Sequence, residues 1–363
     1  MPRRTFVPCR AGLAVLLVCA LGAHAAPQAR HATHATAPDP APYPNTSGFG
    51  VGFNDGEDWH RQCMRVAHLA PSRAYAAAPT AEGQRTKATD LYYLKRDQAA
   101  TTAGEWRQVR AQALALGDDA VLMMLYANGY GVARDTDRAI YHACRLDTAK
   151  AEMEARLDYL ASGSVASDGQ PFDLCDHITS GRMGGICAAI GEGRDDRVRR
   201  ARLDCFTATL PAAARQPFAS LRKAADAFAQ KSAGEVDMTG TGGAGFAFRH
   251  AGRRDKEFMD TLFKAASGKL ARASAAQLAR LEREMDAHYR AVLATPSKND
   301  HHPERIHYLT ATRDDVRTTG RAWLAYRDAW AAYLAAARTP TDLVSIQAEL
   351  TRQRIAQLKR LSR

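Results

Sequence analysis

Aromatic residues make up only 7% of this 363-residue chain, and β-branched residues are sparse beside its many Ala, Leu and Arg. Strands draw on aromatic and β-branched side chains, so the shortage counts against a sheet-built fold and favours helix. Also missing is any run of 18 apolar residues, which excludes a multi-spanning membrane protein. With 26 Gly, 15 Pro and 46% apolar residues, the chain is neither collagen-like nor a wholly disordered polymer. What remains is an ordinary globular composition, long enough for about two domains at roughly 150 residues each. Lys and Arg total 50 against 39 Asp and Glu, a formal charge of +11.

Residues 1–25 read as an address label rather than fold. Arg3, Arg4 and Arg10 give a basic start, Ala11 to Leu21 form an apolar run of 11 residues, and Ala23-His24-Ala25 supplies small residues for cleavage. A spanning helix needs about 20 apolar residues, so a cleaved secretory signal is expected in preference to an anchor. Removing it takes three Arg and no acids, and leaves 338 residues at +8. The next stretch, 26–58, carries Pro27, Pro38, Pro40, Pro42 and Pro44 and then a Gly-rich tail. Such a segment buries too little apolar surface to offset its ordering entropy and reads as a disordered tether.

Export makes the cysteines informative. Cys9 and Cys19 leave with the signal, and Cys63, Cys144, Cys175, Cys187 and Cys205 remain. In an oxidising compartment four pair and one is left over. Cys175 and Cys187 bracket a segment with three glycines that lets the chain close, so they are the first expected bridge. Cys63 with Cys144 is the second, leaving Cys205 free and buried. A catalytic thiol needs an activating base, and nothing in the sequence specifies one.

From Glu105, the positions Trp106, Val109, Ala113 and Leu116 have helical spacing and stop at Gly117. A second helix is expected over 118–127, then the turn N-G-Y-G-V-A-R-D at 128–135, then a third helical stretch over 139–145. Gly129 and Gly131 permit the tight turn and close antiparallel packing. These residues resemble the Sel-like repeat, a relative of the tetratricopeptide repeat, with Gly117, Ala120, Leu125, Tyr126, Gly129, Gly131, Val132, Asp135, Ala139 and Ile140 where that motif would put them. The resemblance implies an interaction scaffold over 59–165. One α/α unit cannot bury its own core, so neighbouring helices must complete it.

The second half shows four amphipathic stripes. Phe218, Leu221, Ala225 and Phe228 share one helix face. Ser274 to Gln277 is a capping box, followed by Leu278, Leu281, Met285, Tyr289 and Val292. Trp323, Tyr326, Trp330, Tyr333 and Leu334 make a third stripe. The fourth helix is expected to take Thr339 as its cap and Pro340 in its first turn, burying Leu343, Ile346, Leu350, Leu358 and Leu361. The expected fold class is therefore all-α: a repeat segment followed by an antiparallel helical bundle.

The runs M-D-A-H-Y at 285–289, D-V-R-T-T-G-R-A-W-L-A-Y-R-D at 315–328 and L-T-R-Q-R-I-A-Q-L at 350–358 look like the lysozyme-inhibitor LprI-type domain of exported bacterial proteins. The Cys-bearing segment at 175–187 is similar to the opening of that domain, so the likeness spans 171–363. Its most specific residues are Trp323, Tyr326, Arg327, Asp328, Thr351 and Arg354, which the resemblance offers as motif and interaction residues. Two departures stand out. No Cys occurs beyond 205, so the family's second bridge is missing, and residues 190–270 separate the opening cysteines from the later motifs like an insertion. Charge also bears on the partner. A mature chain at +8 repels a basic lysozyme at long range, so docking needs a local acidic or hydrogen-bonding patch. Anionic envelope polymers are a second class of contact that the charge favours.

Several apparent enzyme signatures are weaker than their structural readings. G-T-G-G-A-G at 240–245 lacks the preceding strand that a dinucleotide fingerprint requires, and reads as an interhelical loop. Ser220 and Lys223 have a penicillin-recognising spacing without its companion motif. His301, His302 and His307 sit with Asp300 and Glu304, but Pro303 breaks regular metal-ligand spacing. Glu192, Asp195 and Asp196 lie beside Arg194, Arg197, Arg199 and Arg200, as on a solvated helix face. No cofactor, metal or nucleic acid is expected, and no membrane span remains after the signal is removed. The leading expectation is an exported, periplasmic or secreted, disulfide-containing binding protein. It would restrain a peptidoglycan hydrolase by non-covalent occlusion, with a scaffold lacking inhibitory activity and an envelope-polymer enzyme as the alternatives.

Overall fold

Residues 56–69, 87–163, 165 and 170–362 are described by the computed structural model. The signal expected at 1–25, and all but the last three residues of the tether expected at 26–58, lie outside the described residues. Twelve α-helices occur among the described residues, with no strand beyond the two isolated bridges Ser297–His307 and Arg305–Thr312. The fold is all-α.

The first group comprises α1 (Asp58–Val66), α2 (Ala88–Arg96), α3 (Ala103–Leu116), α4 (Asp119–Asn128), α5 (Thr136–Ala143) and α6 (Lys150–Ala161). Local chemistry sets the ends. Thr102 and Glu105 form a capping box at the start of α3, two residues before the start read from apolar spacing. Gly117 ends α3 in the left-handed region, and Asp118 then accepts the Val121 N–H to begin α4. Gly129 and Gly131 both have positive φ, and a Cβ on Gly131 would overlap the Cβ of Trp106, so this turn needs glycine for shape and for close approach. Asp135 caps α5 through the Arg138 N–H, which moves that helix three residues upstream of the expected start. Trp59, Tyr92, Tyr93, Val109, Met123, Met124, Leu125, Ile140, Leu157 and Phe172 fill the core of this group.

The spine is α7 (Gly181–Thr209), 29 residues and so about 44 Å long at 1.5 Å per residue. Its N-terminus meets Glu152 of α6, whose Oε1 accepts the backbone N–H of Thr179 at 2.8 Å and of Ser180 at 2.6 Å. Its middle meets the end of α2, where Arg194 donates twice to Asp97 at 2.7 and 2.8 Å. Its C-terminal end enters a second core, where Phe206 packs edge-on against Phe218 and Phe263.

That second core is closed by α8 (Ala212–Ser232), a short 3₁₀ turn Ala233–Glu235, α9 (Gly243–Ala266), α10 (Ala275–Ala294), α11 (Arg313–Ala337) and α12 (Leu343–Leu361). The stretch 190–270, read as an insertion, supplies most of α7, all of α8 and α9, and the floor of the bundle. G-T-G-G-A-G corrects the interhelical-loop reading: only Gly240 to Gly242 lie outside helix, and Gly243 to Gly245 form the first turn of α9. Small residues there let α9 cross α7 closely, since a Cβ on Gly185 would stand 3.3 Å from Ala244. The last helix also departs from expectation. It begins at Leu343 with Asp342 as cap, accepting the Ser345 N–H at 2.7 Å. The preceding T-P-T segment has another task, because the Thr341 hydroxyl donates to the Ala265 carbonyl at 2.9 Å and satisfies the end of α9.

Two disulfides are present, Cys63–Cys144 joining α1 to the end of α5 and Cys175–Cys187 tying the approach of α7 to its second turn. Cys205 stands in neither bridge and is half-buried rather than buried. All described residues fall within one compact unit, 45–363, and no helix among them is long and apolar enough to cross a membrane.

Candidate interaction site

The site begins with α11, because it carries four of the six motif residues. Thr312 and Asp315 form a capping box at its start, and Arg338 in the left-handed region ends it. Val316, Thr319, Trp323, Tyr326, Trp330, Tyr333 and Leu334 are spaced three and four apart and all turn inward. Tyr326 stacks on Phe228 of α8 at 5.7 Å between ring centroids, and Tyr333 meets Phe218 at 5.5 Å. Phe258 of α9 approaches Trp330 edge-on at 6.2 Å. Burial pushes the Tyr326 hydroxyl far above its ordinary pKa and raises that of Tyr333 to about 12, so both phenols stay neutral.

Two motif residues lie on α12. Arg354, 2% exposed, reaches the 3₁₀ turn and donates to Glu235 through both terminal nitrogens, at 2.6 and 2.8 Å. This is a bidentate pair in which the planar guanidinium matches the carboxylate. Thr351 is fully buried and donates to the Gln347 carbonyl at 2.7 Å. Around this pair lies a larger, partly buried network. Arg254 donates to Glu257 at 2.7 Å, with its pKa brought down to about 10 chiefly by burial. His250 sits 3.1 Å from the Ser232 hydroxyl, and burial together with the positive charge of Arg254 and Arg253 depresses its pKa to about 3.

Trp323, Tyr326, Thr351 and Arg354 are thus interior, and Arg327 with Asp328 are the motif residues at the surface. The Arg327 guanidinium covers Trp323 at 5.4 Å from its ring centroid, bonds Asp328 at 3.1 Å and lies 3.7 Å from Glu282 of α10. Leu324, 43% exposed, stands on the same outer side of α11. The outer face therefore combines one apolar side chain, a stacked cation and the carboxylates of Glu282 and Asp328.

The other sequence candidates are placed elsewhere. Gly129 and Gly131 form the turn between α4 and α5. Each basic residue of the arginine run has an acidic partner: Arg194 and Arg197 meet Asp97, Arg199 meets Glu192, and Arg200 meets Asp196 at 2.6 Å. That run is therefore no bare cationic patch. Asp255 lines the same groove of about 430 Å³ as Arg199 and Arg200, 3.8 Å from Arg199, and burial raises its pKa to about 6 against the opposing pull of that guanidinium. Ser220 is exposed and accepts from the Gln216 amide at 3.4 Å. His302 lies 3.1 Å from Glu304 in an exposed loop, and no group of three metal-ligating side chains occurs among the described residues.

Sequence reading missed Glu235 and Glu257, the acidic partners of the buried arginines. Neither sits in a periodic pattern, and Glu235 is 119 positions from Arg354, so no local signal marks it. It also missed Gly320, where a Cβ would stand 3.5 Å from the Tyr289 ring as α10 crosses α11.

The chain is thus all-helical and twice bridged, with a C-terminal helical bundle. Residues 264–358 match the family model of lysozyme inhibitor LprI, from the last turn of α9 to near the end of α12. The match includes α10, α11 and the six motif residues Trp323, Tyr326, Arg327, Asp328, Thr351 and Arg354, leaves the Cys-bearing segment 175–187 and the rest of 171–263 outside, and marks 264–358 as similar to a lysozyme-inhibitor-like binding module. Neither the curated proteins nor the solved structures yield a match.

Proposed function

We propose that the chain is an exported envelope protein that restrains lysozyme or another peptidoglycan hydrolase, docking through the outer face of α10 and α11 and blocking access without covalent chemistry. The observation that carries this reading is the family match over 264–358, centred on a helix whose motif residues build the bundle and leave Arg327, Asp328 and Leu324 outside. Two disulfides support an oxidising compartment. The charge of the chain argues against long-range attraction to a basic hydrolase, so the exposed carboxylates Glu282 and Asp328 provide the local complement. The 59–165 segment, with its left-handed glycine turn, serves in this reading as a Sel-like scaffold for a further protein contact.

The test is a turbidity assay on purified peptidoglycan with and without added lysozyme. Slowed lysozyme with no clearance by the protein alone supports inhibition. Clearance without lysozyme replaces it with an enzymatic reading, and neither effect leaves a scaffold.

A further inference from the structure

Helices α9 and α12 run antiparallel along one seam, and their side chains mark the register. The Gln353 amide donates to the Thr261 hydroxyl at 3.1 Å, and one turn further the Gln357 amide donates to Glu257 at 3.4 Å. The next turn brings Arg253 and Arg254 of α9 toward Arg360 of α12. Where the first two rungs pair polar groups, the third gathers like charges.

The charges of this cluster do not balance. Arg254 is 3% exposed; one terminal nitrogen donates to Glu257, while its Nε and Nη1 are buried without a hydrogen-bond acceptor among the described residues. Arg354 is held by Glu235, and Arg253 and Arg360 are exposed with no ion pair among the described residues. Four guanidinium groups thus face two carboxylates, a surplus of two positive charges. His250 stands near all four arginines and adds no charge, since burial and then those cations hold it neutral. Like charges gathered in this way repel one another and oppose the compact state, and an anion seated among them removes that cost.

We propose that this end of the α9–α12 seam is a binding site for a phosphoryl dianion. Arg253 and Arg360 hold the phosphoryl oxygens from the surface, each guanidinium offering two parallel N–H donors, and Arg254 adds positive charge from beneath. A phosphate monoester carries close to two negative charges near pH 7, which matches the surplus. A carboxylate or a phosphodiester carries one and offsets half of it. Of the two acids, Glu235 is interior, and Glu257, 34% exposed, is engaged by Arg254 and Gln357. The proposal does not rest on the lysozyme reading.

The test is calorimetric titration of the disulfide-intact chain with inorganic phosphate, with sodium chloride at matched ionic strength as the comparison. Saturable phosphate binding is expected, together with a rise in Tm that chloride does not reproduce. Arg253→Gln with Arg360→Gln should weaken binding by roughly tenfold or more and abolish the rise in Tm. Arg65→Gln with Arg182→Gln removes two charges from exposed pairs elsewhere and should leave both unchanged. Sedimentation with phosphatidylcholine vesicles, with and without phosphatidic acid, fixes the source of the group. Binding that needs phosphatidic acid and is lost in the Arg253 and Arg360 variant assigns a lipid headgroup, and indifference to the vesicles assigns a soluble phosphate. No saturable phosphate binding, an equal effect of chloride, or equal losses in the two double variants would each overturn the assignment.

Discussion

Arg354 and Glu235 meet through two hydrogen bonds in the interior of the bundle, with side chains only 2% and 3% exposed and 119 positions apart in the chain. The pair ties α12 to the turn after α8, and Gln357 adds an acceptor to the same guanidinium at 3.1 Å. Removing one partner strands the other charge away from water. Glu235→Gln is therefore expected to cost about 3–5 kcal/mol, and Glu235→Leu with Arg354→Met markedly less. Urea unfolding of the two variants checks this. Equal losses would show that volume rather than charge pairing holds the turn.

Trp323 presents the same question in apolar form. It is 3% exposed, and Arg327 lies over its ring. Trp323→Ala opens a cavity and is expected to cost about 3–5 kcal/mol, visible as a large drop in Tm. An unchanged Tm would contradict the burial of this side chain.

The two bridges should contribute unequally. Cys63–Cys144 spans 81 positions and Cys175–Cys187 spans 12. Loop-closure entropy alone gives about 4.5 kcal/mol for the longer loop and about 3 for the shorter. Calorimetry on paired Cys→Ser variants should show the larger loss at Cys63–Cys144. The reverse order would place the stabilisation in native contacts around Cys175–Cys187.

Glu152 and Asp255 should give stability profiles of opposite sign. Burial works against ionised Glu152, yet the Thr148 hydroxyl and the Ser180 and Thr179 N–H groups outweigh it and bring the pKa down to about 2. A depressed carboxylate contributes stability that is full above its unfolded pKa and lost as pH falls toward 2. Asp255 is raised to about 6, foremost by burial, so its contribution is full below its unfolded pKa and lost as pH rises through 6. Tm measured from pH 2 to 8 should therefore show Glu152→Gln harmful at pH 7 and nearly silent near pH 2. Asp255→Asn should gain relative to the parent above pH 6. A Glu152→Gln penalty independent of pH would mean that the lost hydrogen-bond geometry, not the charge, matters.

The stripes of α8 and α11 were legible because burial on one helix face imposes a 3.6-residue period that the sequence must carry. The Ser274 capping box and the left-handed Gly117 were legible because each is a local solution to orphan backbone groups. Asp342 was passed over for Thr339 because two capping residues lie three apart, and only the distant Ala265 carbonyl decides between them. The integral role of 190–270 was hidden for the same reason: its stripes find partners far along the chain on α11 and α12, as Phe258 does at Tyr326 and Phe218 at Tyr333. Burial of Arg354 was unreadable because an arginine in a helical sequence ordinarily lies outside, and its acid sits on a turn with no pattern of its own.

The proposed docking face yields the prediction closest to function. Asp328 has 64% of its side chain exposed, and Leu324 is 43% exposed beside it. Neither belongs to the buried stripe, so substituting them should spare the fold. If a basic hydrolase is the partner, Asp328→Lys adds repulsion at the rim and should lower the association rate several-fold at low salt, with the deficit shrinking as salt screens it. Leu324→Ala acts instead on contact area, so it should speed dissociation and show little dependence on salt. Surface plasmon resonance against lysozyme at two ionic strengths separates the two effects. If both variants bind as the parent does, with Tm preserved, the proposed docking through α10 and α11 is wrong.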